Sequence, residues 1–198
     1  MEPAARPQSL PVPRCVTLWL ASMATVCFPA ISAANIHGGL QHHLEHLFTQ
    51  KFHVMAIQEA EVDERDVKIL QMRARQLGCY LEFGAPTNLS SKSDGKIGRR
   101  VAILSRFPLV NSRDAVDGAA TDEILSYLHA SGRWVECTIQ MANGKHAVHI
   151  ASLYGVSGAS QKGSKRDHTH LLHAAAFARM HVYTDSPYLM CTDSNLDP

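Results

Sequence analysis

The sequence predicts an α/β domain, a mixed sheet covered by helices. Three observations lead there. Short apolar runs of strand length, at residues 53–57, 101–105 and 188–191, are interleaved with stretches whose apolar residues recur at helical spacing. Asn143-Gly144, a two-residue turn dipeptide, separates an alternating run (133–141) from an apolar one (147–154), the pattern of a hairpin. Polar residues recur just past strand ends, at Asn35, Glu59, Tyr154, Asp193 and Asn195, where sheets present their sites.

Each element follows in order. Leu40, Leu44, Leu47 and Phe48 mark one apolar face of a helix. Residues 53–57 form a strand that ends in Gln58-Glu59. Asp63 caps a second helix, with Val67, Leu70, Ala74 and Leu77 as its buried stripe and Gly78 as its stop. Residues 79–83 are strand-like, 85–100 read as a polar loop, and 101–105 as a buried strand closed by Phe107-Pro108. Residues 122–130 make a short helix. In 133–141, Val135, Cys137, Ile139 and Met141 share a face, and 147–154 is the return strand. Residues 155–169 read as a basic loop, followed by a helix carrying Leu171, Leu172, Ala175, Ala176 and Met180. The last strand, 188–191, runs into Thr192-Asp193-Ser194-Asn195.

Composition bounds the rest. The 198 residues leave room for one domain and a leader, and 45% hydrophobic with 19% charged residues is a globular balance. A net charge of +1 excludes a global basic field but not a local patch. Five cysteines (Cys15, Cys27, Cys79, Cys137, Cys191) are odd in number and form no C-x-x-C pair, so free thiols fit better than a disulfide framework or a structural zinc. Residues 1–14 are Pro-rich, with Arg6 and Arg14, and residues 15–34 carry no charge. Three readings fit them: a signal peptide ending in Ala30, Ser32, Ala33 and Ala34; a membrane span, which Pro29 and the small residues oppose; or a lead-in to a buried first strand. We read residues 1–30 as a leader and 31–198 as the domain.

Asn35, Glu59, Asp193 and Asn195 offer hard oxygen atoms, which suit Mg²⁺ or Mn²⁺ rather than zinc. An Asp near an amide can orient or deprotonate a water for attack on phosphorus. By composition alone the same residues read as turn formers and caps. The order of the motifs changes that reading. Ala34-Asn35-Ile36-His37-Gly38, Ala56-Ile57-Gln58-Glu59, residues 98–106 (GRRVAILSR), Ser152-Leu153-Tyr154-Gly155 and Cys191-Thr192-Asp193-Ser194-Asn195 resemble, in sequence, the ordered motifs of the endonuclease/exonuclease/phosphatase superfamily. Its members include apurinic/apyrimidinic endonucleases, deoxyribonuclease I and LINE-type retrotransposon endonuclease domains.

The resemblance implies a four-layer α/β sandwich of the deoxyribonuclease I-like type and metal-dependent cleavage of phosphodiesters. Glu59 then matches the metal-binding glutamate and Asn35 the amide that supports the metal and phosphate. Tyr154 matches a phosphate-reaching tyrosine, Asp193 the water-activating aspartate and Asn195 the asparagine that stabilises developing charge. Thr192 and Ser194 replace the usual Gly and Phe around Asp193, and Val156-Ser157 the usual Pro-Asn. The family continues beyond this point with further strands and a Ser-Asp-His-like motif, so the resemblance implies an incomplete domain lacking its C-terminal strands. It also implies Mg²⁺ or Mn²⁺ as cofactor and DNA as substrate, most closely in the manner of retroelement endonucleases. No small-molecule cofactor, stable protein partner or membrane is implied. Two alternatives stay open: a catalytically inactive remnant, and a phosphodiesterase or phosphatase acting on lipid or inositol phosphates. Compartment stays open too, nuclear for a retroelement-derived chain and secreted if residues 15–34 are a signal peptide.

Arg99, Arg100, Lys162, Lys165 and Arg166 are candidates for backbone-phosphate contacts, with solubilising charge as the equal alternative. His42 and His46, with His43 beside them, lie at i, i+4 on the first helix and read as a solvated face, as do His168, His170 and His173, which could touch phosphate weakly near pH ~6. Trp19 and Trp134 read as core.

Overall fold

A computed structural model describes residues 15–18, 30–36, 39–89, 96–113, 122–140, 147–160, 163–183 and 186–195. Among these the chain runs β1 (Cys15–Leu18), β2 (Ile31–Asn35), α1 (Leu40–Thr49), β3 (Val54–Gln58), β4 (Val62–Asp63), a 3-10 turn (Glu64–Asp66), α2 (Val67–Gln76), β5 (Tyr80–Phe83), β6 (Thr87–Asn88), β7 (Ile97–Arg99), β8 (Ala102–Ser105), β9 (Val110–Asn111), α3 (Glu123–Ala130), β10 (Trp134–Gln140), β11 (Ala147–Tyr154), α4 (Ser164–Met180) and β12 (Tyr188–Asp193).

Two sheets stack face to face. One has the order β1-β2-β3-β8-β5, the other β12-β11-β10-β9. Val54, Val101, Ile103, Val135, Ile139 and Ile150 fill the space between them. The outer face of the first sheet packs on α1 and α2 through Leu44, Leu47, Met55, Leu70 and Leu104. The outer face of the second packs on α3 and α4 through Leu128, Trp134, Leu153, Leu172 and Ala176. The layers are therefore helix, sheet, sheet, helix, a four-layer α/β sandwich. The burial explains the sequence pattern. All five residues of β3 and all four of β8 are buried, so these strands read as continuous apolar runs rather than alternating ones.

Several boundaries follow the predicted chemistry. The Asp122 side chain accepts from Leu125 N at 3.1 Å and starts α3. Asp63 caps the 3-10 turn, which leads into α2, and Gly78 at φ +74° ends it. β10 and β11 pair antiparallel from Trp134↔Leu153 to Gln140↔Ala147. Asn143-Gly144 and Trp19 lie outside the described residues.

Other boundaries are corrections. Residues 85–100 are not all loop: β6 and β7 join β4 in a small antiparallel sheet. Exposed Ile97 and the polar Thr87-Asn88 give that ribbon no apolar alternation to read. α4 starts at Ser164 inside the expected loop, because its first turn is polar and its buried stripe is Thr169, Leu172, Ala176 and Arg179. Two of those four are polar. Leu171, expected inside, is 61% exposed. Leu77 is exposed as well, since it sits at the α2 C-cap, turned off the buried face. His43, grouped with a solvated face, is buried, whereas His42 and His46 are exposed. Cys15–Leu18, placed in the leader, pairs antiparallel with Ile31–Ala34 at the sheet edge. Cys79, Cys137 and Cys191 are free thiols. Among the described residues no helix is long and apolar enough to cross a membrane.

Candidate active site

Two pairs of parallel strands end at the same end of the sandwich. β2 lies beside β3 with Asn35 opposite Gln58, and β11 lies beside β12 with Tyr154 opposite Asp193. Glu59 follows β3 directly. A buried polar link fixes the two sheets against each other just below: Gln58 Nε2 donates to Ser152 Oγ at 2.9 Å, and Ser152 Oγ donates to Ile57 O at 3.2 Å. Such a buried amide is tolerated only because its partners are supplied. Gln58 of the Gln-Glu motif is thus a clamp that the sequence reading did not assign.

The five predicted residues converge there. Asn35 Nδ2 donates to Asp193 Oδ2 at 2.5 Å, joining the two sheets. The other carboxylate oxygen, Oδ1, accepts from Asn195 N at 3.1 Å, so the Asp193 plane is fixed from both sides. Asn195 Nδ2 donates to Gly155 O at 3.1 Å. The Tyr154 hydroxyl donates to Glu59 Oε1 at 2.7 Å. Its single proton being committed, the 2.8 Å contact with Ser157 Oγ has the serine as donor. Burial, then the nearby Glu59 carboxylate, pushes the Tyr154 hydroxyl above its ordinary value, while Ser157 and Asn195 partly offset this. Tyr154 therefore stays a neutral donor. Glu59 (φ +54°), Glu61 (φ +42°) and Asn195 (φ +52°) occupy the left-handed region. Asn tolerates it; Glu pays about 1–3 kcal/mol, a strain that clusters at functional sites.

The donor set fits a hard cation. Asn35 Oδ1 is buried and has no hydrogen-bond partner. Its amide nitrogen is held by Asp193, and Asn35 lies in register opposite Gln58, the residue before Glu59. Among the described residues no group of three or more His, Cys, Asp or Glu could hold a metal. One carboxylate and one amide oxygen suit Mg²⁺, which keeps waters and takes substrate phosphate oxygens as its other ligands. A cleft of about 440 Å³ elsewhere, lined by Glu64, Lys68, Glu82, Arg99 and Arg113 among others, contains none of the five.

The basic candidates divide. Arg99 is corrected: its side chain is 10% exposed and bonded to both Glu64 oxygens at 2.6 Å and to Gly84 O at 2.5 Å. Its charge is spent inside the fold. Arg100 donates to Asn88 O and Leu89 O at 3.1 and 2.9 Å. Lys165 and Arg166 lie on the first turn of α4, Lys165 exposed and Arg166 half-buried. Lys162 lies outside the described residues. His168 and His170 are exposed, and His173 is half-buried and 3.5 Å from Thr192 Oγ1. Burial first, then His170, lowers the His173 pKa.

Arg133 was missed. It donates to Gly155 O at 2.5 Å and lies 5.2 Å from the centre of the Tyr154 ring. Burial, with Arg100 nearby, lowers it to about 10, which still leaves it charged at neutral pH. Its only sequence signal is its place at the start of the strand that pairs with Tyr154's own.

Neither a protein-family model nor a curated protein matches the sequence. Solved structures do match the fold. A Neisseria 3′ phosphatase, NExo, bound to product DNA hairpin, has a TM-score of 0.53 at 16% identity over 85% of this chain and 58% of its own. The 3′-5′ exonuclease NExo from Neisseria meningitidis has a TM-score of 0.50 at 16% identity over 82% and 56%. The human Nocturnin catalytic domain with bound sulfate has a TM-score of 0.50 at 13% identity over 80% and 55%. The chain spans a little over half the length of these structures. Helix-sheet-sheet-helix layering and these matches agree: the chain has a deoxyribonuclease I-like fold, a four-layer α/β sandwich.

Proposed function

We propose that the chain carries a Mg²⁺-dependent phosphodiesterase site that cuts DNA endonucleolytically, in the manner of retroelement endonucleases. The observation that carries this reading is the buried, unpartnered Asn35 Oδ1 on the strand end that pairs with Gln58, the residue before Glu59, in a site where Asp193 is already oriented. Glu59 and Asn35 hold the cation. Bound there, Mg²⁺ supplies electrophilic stabilisation of phosphate oxygens. Asp193, with its plane fixed by Asn35 and Asn195, accepts a proton from the attacking water. Asn195 is the neutral donor facing the phosphate as its charge grows, and Tyr154, whose proton goes to Glu59, holds that carboxylate in one orientation. Arg100, Lys165 and Arg166 remain the candidates for flanking phosphates. DNA as substrate is supported by the ordered motifs and by NExo, a structural neighbour bound to product DNA.

Plasmid nicking by the purified chain with Mg²⁺ tests the reading, with EDTA and Glu59→Gln as controls. Nicking lost in both controls is the expected result. No nicking by folded chain means a remnant without catalysis, and nicking that survives Glu59→Gln sinks the site. Hydrolysis of sphingomyelin or inositol phosphates in place of DNA moves the substrate to lipid or inositol esters.

A further inference from the structure

We propose that Gly155 is a positioning residue, whose missing side chain sets the distance between the Tyr154 strand and the Asp193–Asn195 segment. The inference rests on the phosphodiesterase reading for its chemistry, but not for its geometry. Gly155 is absent from the glycines in the left-handed region, so backbone freedom is not what the position needs. Space is. A Cβ at Gly155 would lie 2.1 Å from Ser194 O, 2.6 Å from its carbonyl carbon and 3.0 Å from its Cα. These are backbone atoms and cannot rotate aside.

Both polar groups of Gly155 then clasp that same segment. Its N–H donates to Asp193 O at 2.7 Å. Its carbonyl accepts from Asn195 Nδ2 at 3.1 Å and from Arg133 Nη1 at 2.5 Å. The clasp holds Asn195 in its left-handed conformation at φ +52°. It also fixes the backbone whose Asp193 side chain reaches Asn35. Adding one methyl must widen the contact from 2.1 Å to the 3.4 Å of ordinary van der Waals contact. Asp193 and Asn195 would move by about an ångström relative to Tyr154 and Glu59, and such a misplacement costs about 100-fold in rate.

The test uses the whole chain. In the wild type, native-state amide exchange followed by NMR is expected to show the Gly155 N–H protected at least about 100-fold relative to a free amide, as a bonded amide in a closed segment is. An unprotected Gly155 N–H overturns the proposal. Gly155→Ala is expected to keep the far-UV circular dichroism and a cooperative melt, and to shift the side-chain amide resonances of Asn35 and Asn195. In plasmid nicking, kcat per folded molecule, with the folded fraction read from the melt, is expected to fall about 100-fold with KM within about threefold. Unmoved resonances, or an unchanged kcat in an active protein, overturn the proposal. If the variant does not fold, exchange in the wild type decides. If no form of the chain hydrolyses phosphodiesters, the phosphodiesterase reading fails, and the clasp is judged on exchange and resonances alone.

Discussion

The Tyr154 hydroxyl donates a 2.7 Å hydrogen bond to Glu59 Oε1, tying the end of a strand in one sheet to the residue that follows a strand in the other. A carboxylate at a left-handed backbone position is thereby held in one orientation. Tyr154→Phe removes the donor and leaves the ring's packing. Hydrogen bonds to charged groups are worth about 1.5–3 kcal/mol. The expected outcome is a fall of about 10- to 100-fold in kcat/KM for Mg²⁺-dependent nicking, with a melting temperature near wild type. Because burial and Glu59 push the tyrosine up, its neutral form persists as pH rises past 10. Wild-type activity should therefore show no alkaline limb from this group below pH 10, and a wild-type limb there that Tyr154→Phe abolishes would contradict the assignment.

Away from the site, Arg179 meets a carboxylate that has no exposure at all. Glu136 is 0% exposed, and Arg179 bonds both of its oxygens at 3.0 Å. Tyr183 and Tyr188 add hydroxyl bonds at 2.8 and 3.1 Å, and Arg179 Nη1 also reaches Asp122, the α3 cap, at 2.7 Å. This network fastens both outer helices to the second sheet. Arg179→Met would strand a buried charge, which costs about 3–5 kcal/mol. At about 2–4 °C per kcal/mol for a domain of this size, the melting temperature should drop by roughly 6–20 °C. The double change Glu136→Gln with Arg179→Met should recover part of the loss, because it removes the charge along with its partner. Calorimetry or a thermal melt reads both.

Acid should loosen the fold in two steps. Burial lowers the His149 pKa, so the folded state holds it neutral against Tyr183, whose ring centre is 3.8 Å away. For a histidine whose folded pKa is depressed, the unfolded chain takes up the proton first. The associated stability is present above 6.5 and lost as pH falls through the folded value. Glu64 is lowered by its hydrogen bonds from Arg99, so its contribution is present above 4.5 and lost as pH falls further. Urea titrations from pH 8 to 3 should show both windows. His149→Phe should flatten the upper one and Arg99→Met the lower. A profile unchanged by His149→Phe would mean that His149 titrates normally.

The sequence made some of this legible and not the rest. Strands buried on both faces, such as Val54–Gln58 and Ala102–Ser105, are read as apolar runs because nothing along them faces water. Asp63 and Gly78 are legible because capping is local chemistry. Asn35, Glu59, Tyr154, Asp193 and Asn195 were assembled from the order of motifs, and no spacing rule would place residues 35 and 193 in contact. Arg99 misled because an arginine at the end of a polar segment looks the same in sequence whether it faces phosphate or a glutamate 35 positions away. The start of α4 was hidden for a related reason. Its buried stripe includes Thr169 and Arg179, and the polar partners that make such a stripe stable lie in other elements.

Asn35 separates two roles that a single substitution can pull apart. Its Nδ2 neutralises the approach to Asp193 Oδ2 at 2.5 Å, and its Oδ1 is the unpartnered oxygen offered to a cation. Asn35→Asp keeps an oxygen for the cation and replaces the donor by a second carboxylate. Two carboxylates at that distance cannot both ionise without cost, so the pair holds a shared proton more readily than one carboxylate facing an amide does. A protonated Asp193 cannot accept from water. The acid limb of Mg²⁺-dependent nicking should therefore move up by about one unit or more in Asn35→Asp. Asn35→Ala loses the donor without adding charge, and should lower the rate at all pH values without moving the limb. The pH–rate profiles of the two variants decide it: a limb that stays in place in Asn35→Asp means that residues 35 and 193 are not in contact in the working enzyme.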